Sequence, residues 1–177
     1  MKTLLKTFIL ICLLSNGYHA ISQEIDEKIQ LSGPRVGFTY LPPAASQWIH
    51  YYMSEVSESA LEDGMLVTQF GWQFEERVME LSNGSAFLLE TVAMVGGFDK
   101  GLVLPSISFL VGYRSQEGIE FGMGPNLTNG GPGIVYAFGI TRKLENVYIP
   151  INLALNTSSG VTRVSLLMGF NFKNKKR

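Results

Sequence analysis

The segment Ser106-Ile107-Ser108-Phe109-Leu110-Val111-Gly112-Tyr113-Arg114 decides how this chain folds. Ile107, Phe109, Val111 and Tyr113 alternate with Ser106, Ser108, Leu110, Gly112 and Arg114. A period of two is that of a β-strand with two unlike faces. One face is large and apolar; the other is small, mostly polar and carries the glycine.

The same pattern recurs along the chain. Eight strands are predicted, over 35–41, 65–75, 86–95, 103–114, 118–124, 134–142, 147–156 and 161–172. The second has a possible continuation through Arg77–Leu81 to the hairpin signal Ser82-Asn83-Gly84-Ser85. Gly37, Gly71, Gly112, Gly122, Gly124, Gly139 and Gly169 all fall on the small phase. The 86–95 segment alternates least, being apolar on both phases apart from Glu90. Pro150 interrupts the seventh segment, so a bulge or local break is expected there.

The connections are short: 96–101, 115–117, 127–133, 143–146 and 157–160. Turns of this length build an antiparallel meander and no parallel crossovers. The exception is 42–63, where Trp48, Ile49, Tyr52, Met53, Val56 and Ala60 recur at helical spacing. Ser46 could cap that helix and Gly64 could stop it. The expected fold is all-β: an eight-stranded, antiparallel up-and-down barrel, transmembrane, with a short helix in the first loop.

Ahead of this domain, Met1–Lys6 is a short basic start and Phe8–Leu14 an apolar run, with Ala20 and Ser22 as small residues beyond it. This reads as a cleaved signal peptide over 1–22, with Ala20 as the competing site. Residues 23–34 are then a polar lead-in, 35–172 the barrel domain and 173–177 a basic tail. The one cysteine, Cys12, lies in the discarded leader and lacks the small preceding residue of a lipoprotein signal. Neither disulfides nor thiolate metal sites are therefore expected in the exported chain.

Without Lys2 and Lys6 the chain carries 12 basic and 15 acidic residues. A net charge of −3, with no basic stripe outside the tail, argues against nucleic acid as a partner.

Two closed architectures fit eight such strands. A soluble lipid-binding barrel points its apolar face inward, whereas a membrane barrel points it at lipid. Between Met65 and Phe172 there are two lysines, Lys100 and Lys143, both in predicted turns. A water-facing sheet normally carries many more. Twelve rings share the apolar phase: Phe38, Tyr40, Phe70, Trp72, Phe74, Phe109, Tyr113, Phe121, Tyr136, Phe138, Phe170 and Phe172. That exceeds what the bore of an eight-stranded barrel holds. The rings are accordingly expected to face lipid.

The segments LSGPRVGFTYL, TQFGWQFE, LPSISFLVGYR, GIEFGMGPNL and SLLMGFNF make the chain resemble the small eight-stranded outer-membrane barrels of the OmpA/OmpX type, and more specifically the short exported barrels common in Bacteroidetes. The resemblance covers about residues 32–172. It implies an outer-membrane location, assembly from the periplasm and both termini left there. Typical members end on an aromatic residue, whereas here Phe172 is followed by Lys173–Arg177.

The sharpest polar constellation is Glu75, Glu90, Arg114, Glu120 and Arg163, all on the small phase. An ion pathway or ligand site is one reading; the plainer one is a paired network that satisfies a packed polar lumen without an open pore. Histidine survives the leader only at His50, beside Trp48, Tyr51 and Tyr52. Some eight-stranded barrels of this type modify lipid A with a rim histidine, a serine and an acid, and Ser46, Ser54 and Asp99 could supply the partners. The plainer assignment is an aromatic loop residue.

No metal-ligand spacing is present and no cofactor is implied. Asn126-Leu127-Thr128 and Asn156-Thr157-Ser158 match a glycosylation pattern but read as turns. The expectation is a non-enzymatic, monomeric outer-membrane barrel with lipid as its main partner and a structural or surface-interaction role. The Trp48–Tyr52 loop is its candidate surface contact. The soluble periplasmic lipid-binding barrel and the His50 lipid-modifying enzyme remain as alternatives.

Overall fold

The computed structural model describes residues 31–46, 49, 62–144 and 147–172. Its strands are β1 (Gly33–Leu41), β2 (Met65–Glu80), β3 (Ala86–Gly96), β4 (Leu104–Arg114), β5 (Ile119–Thr128), β6 (Gly131–Leu144), β7 (Val147–Ser158) and β8 (Val161–Gly169). A two-residue β9 (Asn171–Phe172) continues β8 beyond Phe170. Each strand from β1 to β8 pairs antiparallel with the next, and β1 pairs with β8, so the sheet closes into an eight-stranded barrel.

The strand starts Gly33 and Ala86 and the turns 81–85 and 115–118 lie at one end, here called the turn end. The opposite, loop end carries the first loop, the 3-10 turn Phe98–Lys100 and two two-residue turns, Asn129-Gly130 and Ser159-Gly160. At Ser159-Gly160 both residues take positive φ, 50° and 78°. That backbone is the one whose twist matches a tight hairpin.

Several local expectations change. The loop expected over 127–133 shrinks to Asn129-Gly130, because β5 and β6 pair right up to Thr128 and Gly131. Both glycosylation-like tripeptides consequently begin inside strands, at Asn126 in β5 and Asn156 in β7, and are not turns. Lys143 belongs to β6, opposite Tyr148.

Gly33 and Pro34 belong to β1, and Leu31 before them is buried, so the end of the lead-in packs with the barrel. Pro150 does not break β7, where it pairs with Thr141 of β6. The break appears in the partner strand instead. Pairing with β7 stops after Met168 and resumes at Asn171 in unchanged register, leaving a gap opposite the proline, which has no N–H to give.

The helix expected over 42–63 falls mostly outside the described residues. Residues 43–46 form a helical turn, begun at Pro42, whose carbonyl accepts from the N–H of Ala45 and Ser46. Ser46 sits inside that turn and its hydroxyl donates back to Pro42, so it is not the N-cap.

The two phases separate cleanly. Adjacent residues of similar hydrophobicity show it: Phe109 is 52% exposed and Leu110 5%. The lumen holds two apolar layers, one of Val92, Met94, Leu110, Val135 and Leu167 across the middle, and one of Leu41, Ile49, Met65, Val67 and Leu102 at the loop end. The poor alternation of β3 now has a cause. Its inward positions Ala86, Leu88, Val92 and Met94 are apolar because this strand supplies the middle layer and the wall below it.

Candidate functional site in the lumen

Below the middle layer lies a charged network. Arg114, on β4, reaches across β3 to Glu75 on β2. Its Nη1 donates to Glu75 Oε1 at 2.7 Å, and Nη2 bonds to Oε2 of the same carboxylate. Its Nε donates to Glu120 Oε1 on β5 at 2.6 Å, and Asn152 Nδ2 reaches the other Glu120 oxygen at 3.4 Å. The planar guanidinium thus meets one carboxylate with its fork and a second with its remaining edge.

A second branch starts at Arg35. Its Nε donates to Gln73 Oε1 at 3.0 Å, and Gln73 passes a hydrogen bond to Glu90 Oε1 at 2.8 Å. Nη1 of Arg35 donates to Asn171 Oδ1 at 2.6 Å and to the Pro34 carbonyl at 3.0 Å. Glu75 and Glu90 are directly opposite in the β2–β3 register. The fork of Arg114 and the amide of Gln73 hold these two acids on separate partners, Glu75 on a cation and Glu90 on a neutral donor.

Glycines make the room. A Cβ on Gly169 would lie 2.6 Å from Arg35 Nη1, and one on Gly139 would lie 2.2 Å from Asn152 Nδ2.

Above the middle layer the lumen widens into a cavity of about 320 Å³. One side, from β1, β2, β4 and the first loop, gathers the apolar side chains Leu41, Ala45, Ile49, Val67 and Leu104, with Thr39, Gln69 and Ser106 among them. The other, from β5, β7 and β8, offers Thr128, Asn156, Ser158, Arg163 and Ser165. Arg163 Nη1 donates to Thr128 Oγ1 at 3.1 Å and Nη2 to Asn156 Oδ1 at 2.9 Å.

The network expected from the sequence is therefore corrected in two ways. Glu75, Glu90, Arg114 and Glu120 do come together, but Arg163 stands apart, beyond the apolar layer. Arg35, Gln73, Asn152 and Asn171 belong to the network and were not foreseen. Arg35 shares its phase with Gly37 and Thr39, a signal that places it inside once the strand begins at Gly33. The lumen is also less uniformly polar than expected, since two apolar layers divide it.

On the outer surface, eleven of the twelve expected rings are exposed: Phe38, Tyr40, Phe70, Trp72, Phe74, Phe109, Tyr113, Phe121, Tyr136, Phe138 and Phe170. The side chain of Phe172 is outside the described residues. Val36, Leu66, Val111, Ile134, Leu153 and Leu166 lie exposed among them, so the apolar surface runs around the whole barrel. Some rings meet across strands, as Phe121 and Phe138 do with centroids 5.1 Å apart.

The loop-end candidates are less complete. Trp48, His50, Tyr51, Tyr52 and Ser54 are outside the described residues. Asp99 is exposed, and its Oδ1 accepts from the Thr68 hydroxyl at 2.7 Å and the Thr68 N–H at 3.0 Å. Burial alone would raise its pKa, but these hydrogen bonds outweigh that and hold the carboxyl below its ordinary range. The Ser46 hydroxyl turns to Pro42.

No family model, curated protein or solved structure matches the chain.

Proposed function

We propose that the protein is an outer-membrane β-barrel of the small OmpA/OmpX-like type, of the sort found in Bacteroidetes, exported by a cleaved signal peptide and lying in lipid as a monomer. The observation that carries this reading is the inversion of the barrel. A continuous belt of apolar and aromatic side chains is exposed around all eight strands, while Arg35, Glu75, Glu90, Arg114, Glu120 and Arg163 are held inside. In water a surface of this kind is an aggregation hazard, and monomeric soluble proteins rarely expose more than a few hundred Å² of contiguous apolar surface. Against hydrocarbon it is the favourable arrangement.

A soluble barrel that binds lipid in its bore needs the opposite polarity, so the inversion favours the membrane reading over that alternative. The bore itself supports a structural or surface-interaction role and not general permeation. Below the loop-end cavity, buried side chains close the bore with the middle apolar layer and the ion-paired layer beneath. The first loop, with Trp48, His50, Tyr51 and Tyr52, is the proposed surface contact.

Fractionation tests the location. The protein is expected in the membrane fraction, released by detergent and not by salt or carbonate, with faster gel migration before boiling than after. Recovery in the soluble fraction without detergent overturns the proposal.

A further inference from the structure

The inner arginines are not treated alike. Arg114 is clamped by two carboxylates, and Arg35 lies one glutamine away from a third. Arg35 and Arg163 both hydrogen-bond only to neutral oxygens and enter no ion pair among the described residues, but Arg163, held by Thr128 and Asn156, is cut off from the acids of the lower network by the middle apolar layer. Among the described side chains lining the loop-end cavity it is the sole ionisable group. Arg163 is half-buried, and a partly desolvated guanidinium without a counter-charge gains from an anion that pairs with it.

The cavity supplies space for that anion. Its volume of about 320 Å³ is at the lower end of small-molecule sites. Its two sides differ in balance: Arg163, Asn156, Thr128, Ser158 and Ser165 face Leu41, Ile49, Val67 and Leu104, among which Thr39, Gln69 and Ser106 are the polar members. On β8 the residue two below Ser165 is Leu167, and on β4 the residue two below Ser108 is Leu110. Both belong to the apolar layer that closes the floor. The site is therefore blind towards the turn end and separate from the acids of the lower network.

We infer that the loop-end cavity binds a small amphipathic monocarboxylate, with its carboxylate on Arg163 and its alkyl or aryl part against Leu41, Ile49, Val67 and Leu104. One guanidinium balances one negative charge, which favours a carboxylate over a phosphate dianion. Planar pairing suits the carboxylate as well. The site lies inside the barrel, so the inference goes beyond the proposed location and does not depend on whether the outer wall meets lipid.

The test uses the full mature chain, refolded in detergent micelles, or in buffer alone if it proves soluble. Hexanoate is titrated while the arginine Nε–H signals are followed by NMR, with hexanol as the neutral analogue and hexyl phosphate as the dianion. The Arg163 signal is expected to shift saturably with hexanoate, while those of Arg35 and Arg114 stay fixed. Hexanol is expected to leave it unmoved, and hexyl phosphate to bind at least tenfold more weakly.

Arg163→Lys is expected to retain binding and Arg163→Gln to lose it at least tenfold, read from neighbouring Asn156 side-chain amide signals. No saturable shift in the wild-type protein overturns the inference, as does an equal shift with hexanol or unchanged binding in Arg163→Gln. Because the wild-type titration has its own internal controls in Arg35 and Arg114, a variant that fails to fold leaves the test intact.

Discussion

Arg114 and Glu75 are joined by two parallel hydrogen bonds across the lumen, although their strands, β4 and β2, are not neighbours. The Arg114 side chain is 6% exposed and that of Glu75 fully buried. The pair ties three strands into one unit, and Glu120 on β5 extends it to a fourth.

Removing the arginine leaves two buried carboxylates without their counter-charge. Arg114→Met is expected to lower stability by about 3–5 kcal/mol, the range for breaking a buried pair. Glu75→Gln, which keeps an acceptor for the fork, is expected to cost less. Urea unfolding of the refolded barrel, read by loss of the fast-migrating gel band, measures both.

Gly169 sits where Arg35 must pass. A methyl group there would lie 2.3 Å from the Pro34 carbonyl oxygen and 2.6 Å from Arg35 Nη1. The first of these is backbone and cannot swing away. Gly169→Ala is expected to destabilise by roughly 1–3 kcal/mol, as overpacking does. At Gly122 the nearest atom to an added Cβ is 3.6 Å away, so Gly122→Ala is expected to be tolerated. The same unfolding series compares them.

The link between Asp99 and Thr68 is pH-dependent, with a sign fixed by the depressed carboxyl. A group whose folded pKa lies below its unfolded value adds stability above the unfolded pKa, about 4 for aspartate, and loses it as pH falls through the folded pKa. The Thr68 amide, which donates to Asp99 Oδ1, is expected to exchange slowly at neutral pH. In wild type its protection should collapse towards that of Asp99→Ala only below about pH 4. Hydrogen exchange across the acid range, corrected for intrinsic rates, decides it.

Phe109 is the middle residue of β4 and points outward. For a barrel folded into a bilayer, Phe109→Arg is expected to cost about 2–4 kcal/mol, the penalty for arginine near the midplane. On a water-facing wall the same change would cost little and would improve solubility. Folding titrations in vesicles measure it.

Much of this architecture is legible in the alternation itself. Ile107, Phe109, Val111 and Tyr113 share one face because a strand has period two, and that arithmetic found all eight strands. Phase, however, gives only inside or outside. Height along the axis depends on register, which is set by turns such as Asn129-Gly130 and by the irregularity between Arg77 and Met79.

Glu120 and Arg163 share a phase and are separated by the apolar layer, so only register could part them. Arg35 was hidden by its place at the expected start of the first strand, directly after the polar lead-in. Leu110, an apolar residue on a polar phase, was the sequence signal for the middle layer. Its partners Val92, Val135 and Leu167 lie on three other strands, and no local pattern connects them.

The central claim is that the ring-bearing face meets hydrocarbon, and Trp72 reports on it directly. The chain has two tryptophans, Trp48 and Trp72, so Trp48→Phe leaves one emitter on the outer wall of β2. In vesicles of lipids brominated along the acyl chains, the Trp72 fluorescence is expected to be strongly quenched, blue-shifted and insensitive to aqueous acrylamide. Emission untouched by bromine and quenched by acrylamide, from a barrel shown to be folded, would contradict the account.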